Sequence, residues 1–457
     1  MNDQHIAAAV NEARPVPLWL DTPDRPAPRQ APPGEKRASL VVVGGGFTGL
    51  WSALRAKERQ PDRDVLLLDA GRIGDAASGR NGGFCEASLT HGPQNGLSRW
   101  PEEYEQLEQL GRENLADLVQ TVKRYGIDCG LEDTGILHVA TEPHQVAGLG
   151  PDQPGFLDQT QVREVVDSPT YLAGRVETGD CILVDPARLA WGLAEAAESL
   201  GVRILENIPV TRIRRQGDII RVETRQGTVT ADQVVLATNA FRPLLRRLRL
   251  STVPVYDYVL ATQPLTSEQL EAVGWSGRQG VTDSGNQFHY YRLTPDNRIL
   301  WGGYDAIYHY GRRIHPELED RQATYRLLAG QFYETFPQLT DVRFTHRWGG
   351  VIDTCTRFCA FFGTAKGNKV AYALGFTGLG VGATRFAADV MLDLLDGQKT
   401  ERTELAMVRK KPLPFPPEPF AWIGIQITRR SMAAEDRHGR RNLWLRVLDR
   451  LGLGFDS

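Results

Sequence analysis

Residues 40–69 alternate between solid apolar blocks and a helical pattern: LVVV, then three spaced glycines, then apolar Leu50 and Leu54 one turn apart, then VLLL and an acid. Short unbroken apolar runs predict strands covered on both faces, so the segment predicts a strand–helix–strand unit of a parallel sheet. Further on, Tyr104 to Tyr125 has helical periodicity, Leu189 to Leu200 predicts an alanine-rich helix and Val202 to Glu206 a strand. Val210 to Val229 alternates as a hairpin, and Ala231 to Ala240 (ADQVVLATNA) predicts another buried strand. From Thr252 to Phe344 the runs VYDYVLATQPL, FHYYRLT and RILWGGY alternate in the manner of an antiparallel sheet. A glycine-rich turn, Leu374 to Gly382, precedes the helical pattern Ala383 to Leu395.

Chemistry enters with the glycines. Gly44, Gly46 and Gly49 form G-x-G-x-x-G directly after a strand, and Asp69 ends the next strand twenty positions beyond Gly49. That spacing is what a dinucleotide requires: a tight turn, close backbone approach to the pyrophosphate, close helix–strand packing, and an acid for the ribose hydroxyls. The helix opened by Phe47 and Thr48 offers N–H groups and about half a positive charge to phosphate. A second small-residue run, Ser78-Gly79-Arg80-Asn81-Gly82-Gly83, follows at once. NAD enzymes do not need it, whereas it suits the diphosphate and isoalloxazine of FAD lying extended across a sheet. The candidate cofactor contacts extend to Ala70, Val210, Thr238, Asn239, Gly349, Gly378, Leu379 and Gly380.

The expected class is therefore α/β, a Rossmann-like FAD-binding domain interleaved with an antiparallel-sheet substrate domain. The pattern divides as a proline-rich extended arm (1–36) anchored by Trp19 and Leu20, an FAD-binding domain (37–98, 176–250, 346–400), a substrate domain (99–175, 251–345) and a C-terminal tail (401–457).

At 457 residues, with 41% apolar and 24% charged positions, the chain has an ordinary globular balance, and a formal charge of -3 gives no electrostatic case for nucleic acid. Five scattered cysteines argue against a disulfide framework, and with no secretory segment or long apolar span visible the expected compartment is the cytoplasm. No ligand set for a metal is visible. Cys355 and Cys359 have no second pair.

The segments VVVGGGFTGLWSAL, AASGRNGGF, VVLATNAF, YYRLTPDNRILWGG, RWGGVIDTCTRF and GFTGLGVG occur in that order from Val41 to Gly382. Together they resemble the FAD-dependent amine oxidoreductases of the D-amino-acid oxidase and sarcosine oxidase family, and within it the γ-glutamylputrescine oxidase and aminophosphonate oxidoreductase branch. The resemblance implies that Gly44, Gly46, Gly49 and Asp69 hold the ADP half. It implies that Ser78, Arg80, Asn81 and Gly83 line the flavin, and that Gly378 and Gly380 meet its ring. Asp69 stands where glutamate is more usual. Cys355 falls near the cysteine that attaches flavin covalently in sarcosine-oxidase-like relatives, but out of register, so noncovalent FAD is expected. The lysine those relatives use for oxygen has no counterpart in Arg298 to Trp301.

The implied activity is oxidation of an amine to an imine, by hydride transfer to flavin N5, with hydrolysis to a carbonyl. Two rival readings are an NADPH-dependent flavin monooxygenase, for which no second nicotinamide fingerprint is visible, and a non-catalytic flavin-binding sensor. For substrate contacts, the strand Gln287 to Arg292 sends His289 and Tyr291 to one face and Tyr290 and Arg292 to the other. Tyr291 and Arg292 are candidates, the guanidinium offering a fork to an anionic substrate group. His309, among Tyr304, Tyr308 and Tyr310, is a candidate proton acceptor, and His91 lies near the expected flavin ring. The expected partner is a small-molecule amine. The tail, with WIGIQITRR and LWLRVLDRLGLGF, predicts an amphipathic helix that packs on the protein's own body or meets a membrane surface or electron acceptor. The sequence leaves the oligomeric state open.

Overall fold

The computed structural model describes residues 3–29, 37–303 and 305–454. Its first sheet runs in the order Phe361–Ala365, Val370–Leu374, Thr228–Leu236, Arg37–Val43, Val65–Leu68 and Arg203–Leu205. The hairpin Val210–Gln216 and Ile219–Thr224 joins Thr228–Leu236 antiparallel. Arg37–Val43 lies parallel to both of its neighbours. Alternation along it serves two cores: Leu40 and Val42 pack with Trp51 and Phe386 on the helical side, and Val41 and Val43 with Ile220 and Phe361 on the other. With both faces covered, the run needs no polar alternation.

The helices Phe47–Arg59 and Gly380–Leu395 cover the helical side. They are pinned together by ion pairs: Arg59 to Asp389 and Asp393, each at 2.7 Å, and Arg55 to Asp389 at 3.0 Å. These carboxylates are almost wholly buried, so their pairing is what makes their burial tolerable.

The second sheet is largely antiparallel. Val253–Thr262 pairs with Ile299–Gly303 on one side and with Phe344–Thr354 on the other, and His289–Leu293 lies between Ile299–Gly303 and Gly280–Asp283. Its far face packs Tyr291, Trp301, Phe332, Phe336 and Phe344 into a second core.

Three boundaries differ from those expected. Phe344–Thr354 belongs wholly to the second sheet, so the chain returns to the first sheet at Phe361 rather than at 346; its alternating pattern is that of a strand buried on one face. The helix Tyr104–Arg124 sends Leu107, Leu110, Leu118 and Val122 into the first-sheet core, although it lies inside the span assigned to the substrate domain. The amino-terminal segment is not simply extended. Asp3–Asn11 is helical, and Ala9, Val10 and Ala13 pack into the second core. The prolines that suggested an arm begin only at Pro15, and before them the apolar spacing is that of a helix. Trp19 and Leu20 are anchored as expected, Trp19 Nε1 donating to Asn81 O at 2.9 Å.

Candidate active site

Between the sheets lies a cavity of about 900 Å³. One end is built by the first glycine turn. A Cβ on Gly49 would lie 1.8 Å from Gly44 O, so helix and strand meet there only because the side chain is absent. Gly46, Phe47 and Thr48 line the cavity at the start of the helix Phe47–Arg59, which has no side-chain cap. Apart from Phe47 N–H, which bonds Ser78 Oγ, the first-turn N–H groups and the helix dipole favour an anion. Asp69 reaches back to this turn: its carboxylate accepts from Gly45 N at 2.5 Å and Gly71 N at 2.7 Å, while burial pushes its pKa up. Gly44, Gly49, Asp69, Ala70, Thr238 and Val210 do not line this cavity, whereas Asn239 does.

The Ser78–Gly83 loop forms the floor, with Ser78, Arg80, Asn81 and Gly82 on the cavity surface and Gly79 and Gly83 packed behind it. Ser78 Oγ accepts from Phe47 N at 2.9 Å, joining the loop to the first turn. Arg80 braces the two sheets, donating to Asp75 O (2.7 Å), Glu319 (2.5 Å) and Gly349 O (3.1 Å). Asn81 closes its own turn, accepting from Gly83 N at 2.8 Å. The opposite rim is the turn Gly378, Leu379 and Gly380. It is held from below by Asp353, whose buried carboxyl accepts from the N–H groups of Gly375 (2.5 Å) and Phe376 (3.2 Å) and is pushed by burial up to about 7.

The second sheet supplies the wall through Asp257, Phe288 and Tyr290. Tyr290 Oη donates to Asp257 Oδ2 at 2.5 Å, and Asp257 also accepts from Tyr258 N at 2.9 Å. Burial pushes the Asp257 carboxyl up to about 6 despite these donors. Glu86 and His91 also face the cavity; burial raises the first and lowers the second.

The expected catalytic trio does not line this cavity. Tyr291 points into the second core, bonded to Tyr171 Oη at 2.6 Å and packed on Trp301 with ring centroids 4.4 Å apart. Arg292 shares the Tyr290 face but lies deeper. Its Nη1 donates to Val184 O at 2.9 Å, its Nη2 stands 3.8 Å from Glu132, and only 1% of it is exposed. Strand alternation fixes the face of a side chain, not its depth. His309 stands edge-on to Tyr256 off the cavity surface, its pKa lowered by burial, Arg313 and Arg321. Tyr304 lies outside the described residues. Cys355 is turned away as well, its buried thiol against Cys359 O at 3.1 Å.

Asp257 and Asp353 were missed in the sequence. Each is a lone acid inside an apolar strand, in VYDYVLA and GGVIDTC, and that is the signal that marks them, since an unpaired buried carboxyl is costly. The tail was missed as a wall. Its helices Phe420–His438 and Leu443–Arg450 close the cavity with Phe420, Ile425, Met432, Trp444 and Leu448.

Residues 39–394 match the family model described as FAD dependent oxidoreductase. The chain belongs to that family. The γ-glutamylputrescine oxidoreductase of Escherichia coli (strain K12) is 33% identical over 394 residues, covering 82% of this chain and 87% of its own. The sarcosine oxidase subunit beta of Rhodobacter capsulatus is 22% identical over 341 residues, 71% of this chain and 76% of its own. Among solved structures, glycine oxidase from Geobacillus kaustophilus shares the fold at a TM-score of 0.65 and 21% identity, over 80% of this chain and 96% of that one.

FAD is thus the cofactor of this oxidoreductase, and the residues present fit it. Gly378 has φ +97° and lies on the cavity surface, and a Cβ built there meets nothing within 4 Å. The rim therefore presents bare backbone to the space that a ring would fill. Among the described residues no helix is long and apolar enough to cross a membrane.

Proposed function

We propose that this FAD-dependent oxidoreductase oxidises a primary or secondary amine, such as an amino acid, a polyamine derivative or an aminophosphonate, at the C–H next to nitrogen, and that water hydrolyses the resulting imine to a carbonyl. The observation that carries the reading is the Asp257–Tyr290 pair on the wall facing the glycine-built end of the cavity. The named activities of the E. coli and R. capsulatus relatives, on γ-glutamylputrescine and sarcosine, support an amine as the substrate.

Bound FAD supplies the hydride acceptor. The protein's residues position and protect. Asp257 is ionised above about pH 6 and presents a carboxylate that binds a substrate ammonium and accepts the proton it must lose before the neighbouring C–H leaves as hydride; the Tyr290 hydroxyl holds that carboxylate in one orientation. The Tyr290 ring packs directly on Gly82 of the floor and on Gly302 of the neighbouring strand, each of which could carry a Cβ only within 2.6 Å of it. The tail helices line the far side with apolar side chains, and the lower local dielectric strengthens the charge interaction inside. Holding the amine nitrogen at Asp257 turns an encounter into a positioned reaction.

Product analysis tests the reaction class. Turnover of an amine with an artificial electron acceptor is expected to release one carbonyl per amine consumed, with ammonia from primary amines. Consumption of NADPH with oxygen insertion, and no carbonyl from any amine, would instead indicate a monooxygenase.

A further inference from the structure

The family match ends at residue 394, and the segment beyond it has a distinctive surface. Of the twelve exposed large apolar residues among those described, eight fall between Leu413 and Leu451, and a ninth, Tyr310, packs edge-on against Trp422. Exposed apolar residues are normally scattered singly, so this concentration requires a cause.

The two tail helices share one plan. On Phe420–His438, Ala421, Gly424, Ile425, Thr428, Arg429 and Met432 line the cavity, while Ile423, Ile427, Arg430 and Arg437 form the exposed stripe, and Phe420 at the helix start lies at the boundary between the two. On Leu443–Arg450, Trp444 and Leu448 face the cavity, while Leu443, Arg446, Val447 and Arg450 are exposed, Leu443 by 77%. Trp444 Nε1 bonds Thr428 Oγ1 at 2.9 Å, so the helices form one unit with its outer stripes away from the cavity.

Charge on this unit is segregated. Its acids turn inward: Asp436 accepts from Asn286 and Gln287 backbone N–H groups at 2.7 and 3.0 Å, and Glu435 and Asp449 pair with Arg441 at 2.9 and 2.6 Å. Arg430, Arg437, Arg440, Arg446 and Arg450 are all exposed. An apolar stripe flanked by outward cations is the pattern of a helix lying in the plane of an anionic bilayer surface. The arginine stems add apolar contact below their charged heads.

We propose that the helices Phe420–His438 and Leu443–Arg450 form a docking face for an anionic membrane surface. Leu413, Phe420 and Leu451 both line the cavity and are exposed, so the cavity opens beside this face. The protein lies on the membrane through this face, and among the described residues no helix is long and apolar enough to cross it.

The test is co-sedimentation of the flavin-loaded full chain with vesicles of phosphatidylcholine alone or with added phosphatidylglycerol, at low and high salt. Binding to the anionic vesicles is expected, and it should weaken with salt as screening grows. Two variants, Leu443→Glu with Val447→Glu and Arg446→Glu with Arg450→Glu, should each reduce binding by at least about tenfold. Flavin content and thermal midpoint should stay unchanged, since none of these residues lines the cavity. No binding to anionic vesicles, equal binding to neutral ones, or wild-type binding by both variants would overturn the proposal. So would a stable dimer that the same substitutions dissociate.

Discussion

At Gly46 the space allowed to one side chain separates cofactor binding from folding. A Cβ there would stand 2.8 Å from Ser78 Oγ, the acceptor of Phe47 N–H, at the mouth of the anion-binding turn. Gly46→Val is therefore expected to yield a folded protein with most of its FAD missing, read from the ratio of visible to ultraviolet absorbance; a fully loaded variant would contradict this placement. Arg292 carries the opposite expectation. Because it bonds Val184 O and faces Glu132 in a closed interior, Arg292→Ala should lower stability by about 2–4 kcal/mol, short of the full cost of an orphaned buried charge because Glu132 is partly exposed. Denaturant unfolding measures that loss, and a variant of unchanged stability with weakened substrate binding would return Arg292 to the site. Asp353 adds a pH signature. Burial raises its folded pKa from 3.8 to about 7, so between those values the folded state binds the proton more tightly than the unfolded state. Stability contributed by this group falls as pH rises through that window and is level above it. Asp353→Asn should flatten that part of the thermal-midpoint profile; an unchanged slope would assign it to other groups. The glycines were legible in the sequence because their spacing answers to backbone geometry. The depth of Arg292 was not, because it depends on Gly83 and Val184 brought in from another segment.

Among elements, the strand–helix–strand unit was the most legible: the apolar runs around Gly44 are local, and both faces of the strand are covered by neighbours that any parallel sheet provides. The strand Phe344–Thr354 was harder to assign. Its alternation predicts a half-buried strand, but the partner is chosen by register with Val253–Thr262, some ninety residues earlier. The helix Asp3–Asn11 was masked by the prolines that follow it. In the tail, amphipathic periodicity was visible, but periodicity fixes only that one side of each helix is apolar. What the tail covers is set by its anchors, Arg429 to Asp305 and Asp436 to Asn286. Those partners lie over a hundred residues away.

At the scale of the whole molecule, two sheets and a helical cap enclose one cavity, with backbone-rich glycine turns on one side and an acid–tyrosine wall on the other. The interleaving follows from this arrangement, since each sheet must contribute a wall and the chain crosses between them. In the proposed reaction an amine held at Asp257 reduces the bound flavin in this cavity. Anaerobic mixing of the yellow protein with a panel of amines, amino acids and aminophosphonates, followed by visible absorbance, tests it most directly. At least one amine should bleach the flavin, at a rate that rises with pH through about 6 as Asp257 ionises, and Asp257→Asn should slow bleaching by on the order of a hundredfold while retaining FAD. A flavin that no amine bleaches, or an Asp257→Asn protein that bleaches as fast as the wild type, would contradict the account.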